Sequence, residues 1–139
     1  MTEPLKGPFE NSTLSDWTKS VYEYAKMKGW WDEDRSPLEI HMLMVTELAE
    51  ATEEIRNGKP PVYFNLRPRS LGEPSPGITT DPNDPNHDGK PEGEAVELVD
   101  VFIRLCDYFG RKGWNLGEIA RMKHLYNVTR PYRHGGKKL

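Results

Sequence analysis

Two pairs of acidic residues share one spacing in this chain of 139 residues: Glu47 with Glu50, and Glu97 with Asp100. On a helix, side chains at i and i+3 lie about 60° apart, so each pair presents two carboxylates in one direction. Two such pairs on two helices can bring four carboxylates to one point. A hard oxygen donor set of that size suits Mg²⁺, with Mn²⁺ as the alternative; zinc would call for His and Cys.

The elements that must position these acids are legible from period and caps. A helix starts after Ser36, an N-cap followed by Pro37 at the first helical position and Glu39 two residues on. It runs to about Asn57, where Gly58 and the pair Pro60–Pro61 stop it. At about 100° per residue, Ile40, Leu43, Met44 and Ala51 all fall within about 60° of Glu47, as do Glu50 and Glu54. Glu53 points away. The acids therefore continue the stripe that the apolar residues begin. Carboxylates placed where water is scarce need a counter-charge, and a bound cation supplies it.

The helix bearing the second pair is read from Gly93 to Phe109. Val96, Leu98, Val99, Val101, Phe102, Ile103, Leu105 and Cys106 wrap most of its circumference, leaving a narrow polar strip of Glu94, Glu97, Asp100, Arg104 and Asp107. So apolar a helix is buried on several sides, and self-association is the expected remedy for a chain this small. The bland alternative for this strip is a solvated face with internal ion pairs. Two further helices complete the reading, Leu14–Lys28 ended by Gly29, and one from the N-cap Asn115 to about Asn127, which Pro131 prevents from continuing. Arg133 to Leu139 is a basic tail.

Residues 58–93 differ from the rest: they hold eight of the twelve prolines and five of the twelve glycines, without helical period. Such a stretch is a functional loop, a mobile flap or a disordered insert. Within it, Asp84-x-Asn86-x-Asp88-Gly89 matches the start of a calcium loop, but the twelfth position is Ala95, where that loop needs Glu. With no alternating strand pattern of useful length, the expected fold is all-α, a single domain of residues 1–139.

Composition narrows the function classes. Hydrophobic residues make up 35 % and charged residues 29 %, so the chain carries an unstructured stretch or shares its core with another copy. Cys106 is the single cysteine, which excludes a disulfide framework. No apolar run approaches the ~20 residues of a membrane span, and the N-terminal MTEPLKGPFENST has no signal-peptide core. The expectation is a cytoplasmic protein with no membrane association. A net charge of −3 makes nucleic acid an unlikely partner, although residues 119–139 carry six Lys or Arg and no acid, whereas residues 39–54 carry five Glu and no base.

At the acidic pairs the chain resembles the MazG-like, all-α nucleoside triphosphate pyrophosphohydrolases, whose signature is E-E-x-x-E on one helix and E-x-x-D on the next. Here these read Thr46-Glu47-Leu48-Ala49-Glu50 and Glu97-Leu98-Val99-Asp100. The stretches KPEGEAVELVDVFIRLCD and KHLYNVTRPYRHGGKK are similar to a small MazG-like subgroup. The likeness covers about residues 14–57 and 90–138. It implies a four-helix MazG-like bundle completed as a homodimer or homotetramer, and Mg²⁺-dependent cleavage of an NTP or dNTP between the α- and β-phosphates. The products would be a nucleoside monophosphate and pyrophosphate, in nucleotide-pool control or cleansing.

The resemblance further implies Glu47, Glu50, Glu97 and Asp100 as metal ligands, with Glu47 or Glu50 accepting the proton of an attacking water. It implies Lys123, Asn127 and Arg130 for the phosphates, and Trp30, Trp31 and Tyr126 for the nucleoside. One departure stands out: Thr46 replaces the motif's first Glu, with Glu54 as a partial substitute. A nucleotide-binding or scaffold protein of the same fold that has lost efficient catalysis is therefore the alternative. A helical module with a nucleic-acid-binding tail is the third reading.

Overall fold

The computed structural model describes residues 7–8, 10–136 and 138. In chain order the elements are α1 (Leu14–Met27), α2 (Pro37–Arg56), β1 (Tyr63–Leu66), β2 (Ile78–Thr79), β3 (His87–Glu92), α3 (Glu94–Lys112), α4 (Leu116–Thr129) and the short α5 (Arg133–Gly136). They fall into two compact units: Met1–Asp34 with Cys106–Leu139, and Arg35–Leu105.

The helix ends follow the local chemistry. Thr13 and Asp16 form a reciprocal capping box on α1, and the Asn115 side chain accepts the Glu118 N–H at the start of α4. Ser36 caps α2 by accepting the Leu38 N–H, with Pro37 opening the helix. At the other end of α2, Gly58 takes φ +65°, and its N–H reaches Ile55 O while that of Lys59 reaches Glu54 O. These two bonds satisfy carbonyls that the helix leaves open.

The first unit packs α1 against α4. Its buried side chains include Thr18, Cys106, Tyr108 and Leu116. Trp114 meets the rings of Tyr108 and Phe109 edge-on, at centroid distances of 5.6 and 5.4 Å. Gly110 lets α3 approach α1 closely: a Cβ there would lie 2.4 Å from that of Tyr22.

The second unit corrects the all-α expectation. The fold is mostly helical, but the stretch after α2 carries a three-stranded antiparallel sheet in the order β2-β1-β3. Phe64 lies opposite Thr79 on one side and Pro91 on the other, and Tyr63 lies opposite Glu92. The strands are short, and β3 reads HDGKPE, so no hydrophobic alternation announces them. Pro91 is tolerated because β3 is an edge strand, where a missing N–H costs no ladder bond on the open side. Side chains do much of the ordering. His87 stacks on Phe64 at 4.4 Å, its Nδ1 accepts the Gly89 N–H and its Nε2 lies 3.0 Å from Pro82 O. The acceptor role of Nδ1 puts the proton on Nε2, which donates to that carbonyl.

Candidate functional site

The second unit gathers the acids of α2 and α3. On α2, Ile40, Glu47 and Ala51 are buried, three members of the predicted stripe; Leu43, Met44 and Glu54 are half-buried and Glu50 is exposed. Glu47 is only 7 % exposed. One carboxylate oxygen from each of Glu47, Glu97 and Asp100 can be chosen so that all three lie within 4.8 Å of one another. Glu50 sits on the exposed flank of α2 yet shares a hydrogen bond with Glu97. Three of the four predicted metal ligands therefore form a tight group, and Glu50 stands beside it as a neighbour of Glu97.

The electrostatics are those of a site short of positive charge. Burial first, then the charge and hydrogen bond of Glu50, and then the charges of Asp100 and Glu47 push the Glu97 carboxyl up from 4.5 to about 7. Burial and the charge of Glu47 also raise Asp100, against the opposing pull of Arg104 and Lys90. The one cation in direct contact, among the described residues, is Arg104, whose Nε donates to Glu47 Oε1 at 2.6 Å. A divalent ion fits this donor set: the oxygens are hard, close and mutually repulsive, and a single guanidinium does not balance them.

A pH dependence follows. Between about 4.5 and about 7 the folded chain holds the Glu97 proton while the unfolded chain has released it. The stability this group contributes is complete below about 4.5 and lost as pH rises through about 7. Melting temperature in EDTA is therefore expected to fall across that window, and saturating Mg²⁺ to remove most of the fall. A flat profile in EDTA, followed by differential scanning fluorimetry, would contradict the crowding of these carboxylates.

The neighbours of the cluster have definite roles. Thr46 is exposed and donates its hydroxyl back to Met42 O and Leu43 O of its own helix. Glu54, its expected partial substitute, lies outside the group of three. Its carboxylate accepts the Tyr63 hydroxyl at 3.0 and 3.2 Å. Burial and that bond, reinforced by the charges of Glu54, Glu92 and Glu97, push the Tyr63 phenol up to about 12, so it stays a donor. The calcium-loop likeness dissolves into turn chemistry, since Asp84 accepts the Asn86 N–H and Asp88 the Lys90 N–H.

The remaining predicted residues lie in the first unit. Trp31 is tied into a network: Nε1 donates to Asp107 Oδ1 at 2.7 Å, Arg111 lies 4.8 Å from its ring centroid, and Arg111 also reaches Asp34 at 2.6 Å. Trp30 is the more open of the two, at 62 % exposure. Lys123 and Asn127 are on α4, but the helix ends at Thr129 and Arg130 is extended, with ψ 145°. Lys123 and Arg130 nevertheless both approach the Tyr126 ring, at 5.0 and 5.7 Å. The structure thus joins two of the three predicted phosphate contacts to a predicted nucleoside contact.

Sequence reasoning did not foresee the partners supplied by the sheet. Glu92 uses both carboxylate oxygens, accepting from Asn65 Nδ2 at 2.6 Å and pairing with Lys90 Nζ at 3.1 Å. The one available signal was a lysine four residues ahead of an acid-bearing helix. No protein-family model matches the chain, and neither a curated protein nor a solved structure does.

Proposed function

We propose that the protein is a Mg²⁺-dependent nucleoside triphosphate pyrophosphohydrolase, cleaving between the α- and β-phosphates to release a monophosphate and pyrophosphate. The observation that carries this reading is the convergence of Glu47, Glu97 and Asp100 within 4.8 Å, at the positions where the MazG-like motif has its ligands. A bound Mg²⁺ would neutralise phosphate oxygens and acidify an attacking water. Glu47, Glu97 and Asp100 hold the ion. Glu50 accepts the proton of the water: it is exposed and adjacent to Glu97, whereas Glu47 is already engaged by Arg104. Side chains such as Leu38, Met42, Met122, Leu125 and Val128 remain exposed, which supports a homo-oligomer as the working state.

Product analysis on a panel of NTPs and dNTPs tests the proposal. The expected result is metal-dependent release of pyrophosphate with a nucleoside monophosphate, and the ranking of rates names the base and sugar. Release of orthophosphate alone would overturn the α–β cleavage. A second reading, a nucleotide-binding or scaffold protein without efficient catalysis, is favoured by the Thr46 hydroxyl being spent on its own helix. It predicts Mg²⁺-dependent nucleotide binding with no turnover.

A further inference from the structure

Four acids crowd this centre, and Arg104, in contact with Glu47, is already used. A divalent ion offsets the carboxylates but leaves the charge of a phosphate chain largely unanswered. A further cation on the same unit has to meet it, and most of the basic side chains there are committed elsewhere. Arg35 pairs with Glu39 and Arg56 with Glu53 along α2, and Lys59 lies 5.7 Å from the Tyr63 ring centroid.

Lys90 is different. It stands on β3, which leads through Gly93 directly into α3. Its partner Glu92 is fixed on the other side by Asn65, and Tyr63, opposite Glu92 in the ladder, reaches across to Glu54 of α2. The sheet segment that bears Lys90 is thereby tied to both acid-bearing helices. Its ammonium acts electrostatically on both Glu97 and Asp100. The side chain is 75 % exposed while that of Glu92 is 21 % exposed. The carboxylate is therefore fixed and the ammonium open to solvent. An exposed pair of this kind is weak, so the ammonium can exchange Glu92 for a stronger anion.

We propose that Lys90 is a phosphate-binding residue of the acidic centre, delivered by the sheet to the phosphate chain of the nucleotide. This rests on the nucleotide reading above, with an anchor from an element that the sequence did not announce. The bland counterpart is a solvated surface ion pair between Lys90 and Glu92.

Calorimetric titration of the full chain with inorganic pyrophosphate in Mg²⁺ separates the two, alongside Mn²⁺ binding followed by electron paramagnetic resonance. Lys90→Ala is expected to weaken pyrophosphate binding about tenfold, the loss of one charge-assisted hydrogen bond. Mn²⁺ affinity should not fall, because a repelling charge near the carboxylates is removed, and Lys90→Arg should retain most of the binding. Arg56→Ala removes the same charge from the same unit and is expected to bind as wild type. Wild-type affinity in Lys90→Ala, or an equal loss in Arg56→Ala, would overturn the assignment while leaving the metal centre intact. Failure of the wild-type chain to bind Mn²⁺ would overturn the centre itself, and Lys90's role with it.

Discussion

Glu97→Gln is expected to abolish metal-dependent hydrolysis while making the metal-free protein more stable. The two effects have one cause. Glu97 is the carboxylate most strained by its surroundings, held up to about 7 by burial and by Glu50, Asp100 and Glu47 around it. Glutamine keeps the shape and removes the charge, so in EDTA the repulsion disappears and melting temperature at pH 8 rises. The same change replaces an anionic carboxylate ligand by a neutral amide, a much weaker donor to a divalent ion. Supporting groups behind metal ligands are worth about 10–100-fold, so loss of a direct ligand should cost hydrolysis about a hundredfold or more, with a parallel loss of Mn²⁺ affinity. Such opposition between activity and stability is usual where a site is built of like charges.

Glu97 is the position that separates these effects cleanly. Glu47 is buried against Arg104, and neutralising it would leave a guanidinium without its partner, confounding charge with packing. Activity, Mn²⁺ affinity and melting in EDTA should be measured on one preparation of Glu97→Gln. Unchanged Mn²⁺ affinity would remove Glu97 from the centre. A lower melting temperature in EDTA would show that the carboxylate serves the fold and not a ligand.

The helical part of this architecture was legible because helices are written locally. Ser36-Pro37, Asn115 with Glu118, and Gly58 each fix a helix end through bonds spanning a few residues, and the 3.6-residue period put Ile40, Glu47 and Ala51 on one buried face. The acidic centre was legible for the same reason: it needs only two helix faces. The sheet was not, because its order comes from partners far apart in sequence. Asn65 meets Glu92, Phe64 meets His87, and Tyr63 meets Glu54, and none of these pairings leaves a trace in local hydrophobicity. Arg130 lies just past the end of α4 at Thr129, in extended backbone that no helical period describes.

Gly93 is where the sheet and the acidic centre are mechanically joined, and Gly93→Ala is expected to damage both. The residue takes φ +120°, far from any conformation that alanine adopts readily, and that strain costs about 1–3 kcal/mol. A Cβ there would also stand 2.3 Å from Pro61 O and 2.7 Å from Pro60 O. Relief by movement is blocked. Pro61 O accepts the Ala95 N–H at 3.0 Å, and two consecutive prolines stiffen the segment. Overpacking adds a further ~1–3 kcal/mol, so melting temperature should drop on the order of 10 °C. The start of α3 must shift to escape the contact, and Glu97, one turn in, shifts with it, so Mn²⁺ affinity should fall as well. Gly58→Ala provides the comparison, since that position has φ +65° but open space around it, and only a backbone cost of about 1–2 kcal/mol applies. Equal losses of stability in the two variants would mean that the close approach to Pro61 carries no weight. A Gly93→Ala protein that melts low but binds Mn²⁺ normally would mean that the junction stabilises the sheet without positioning the carboxylates.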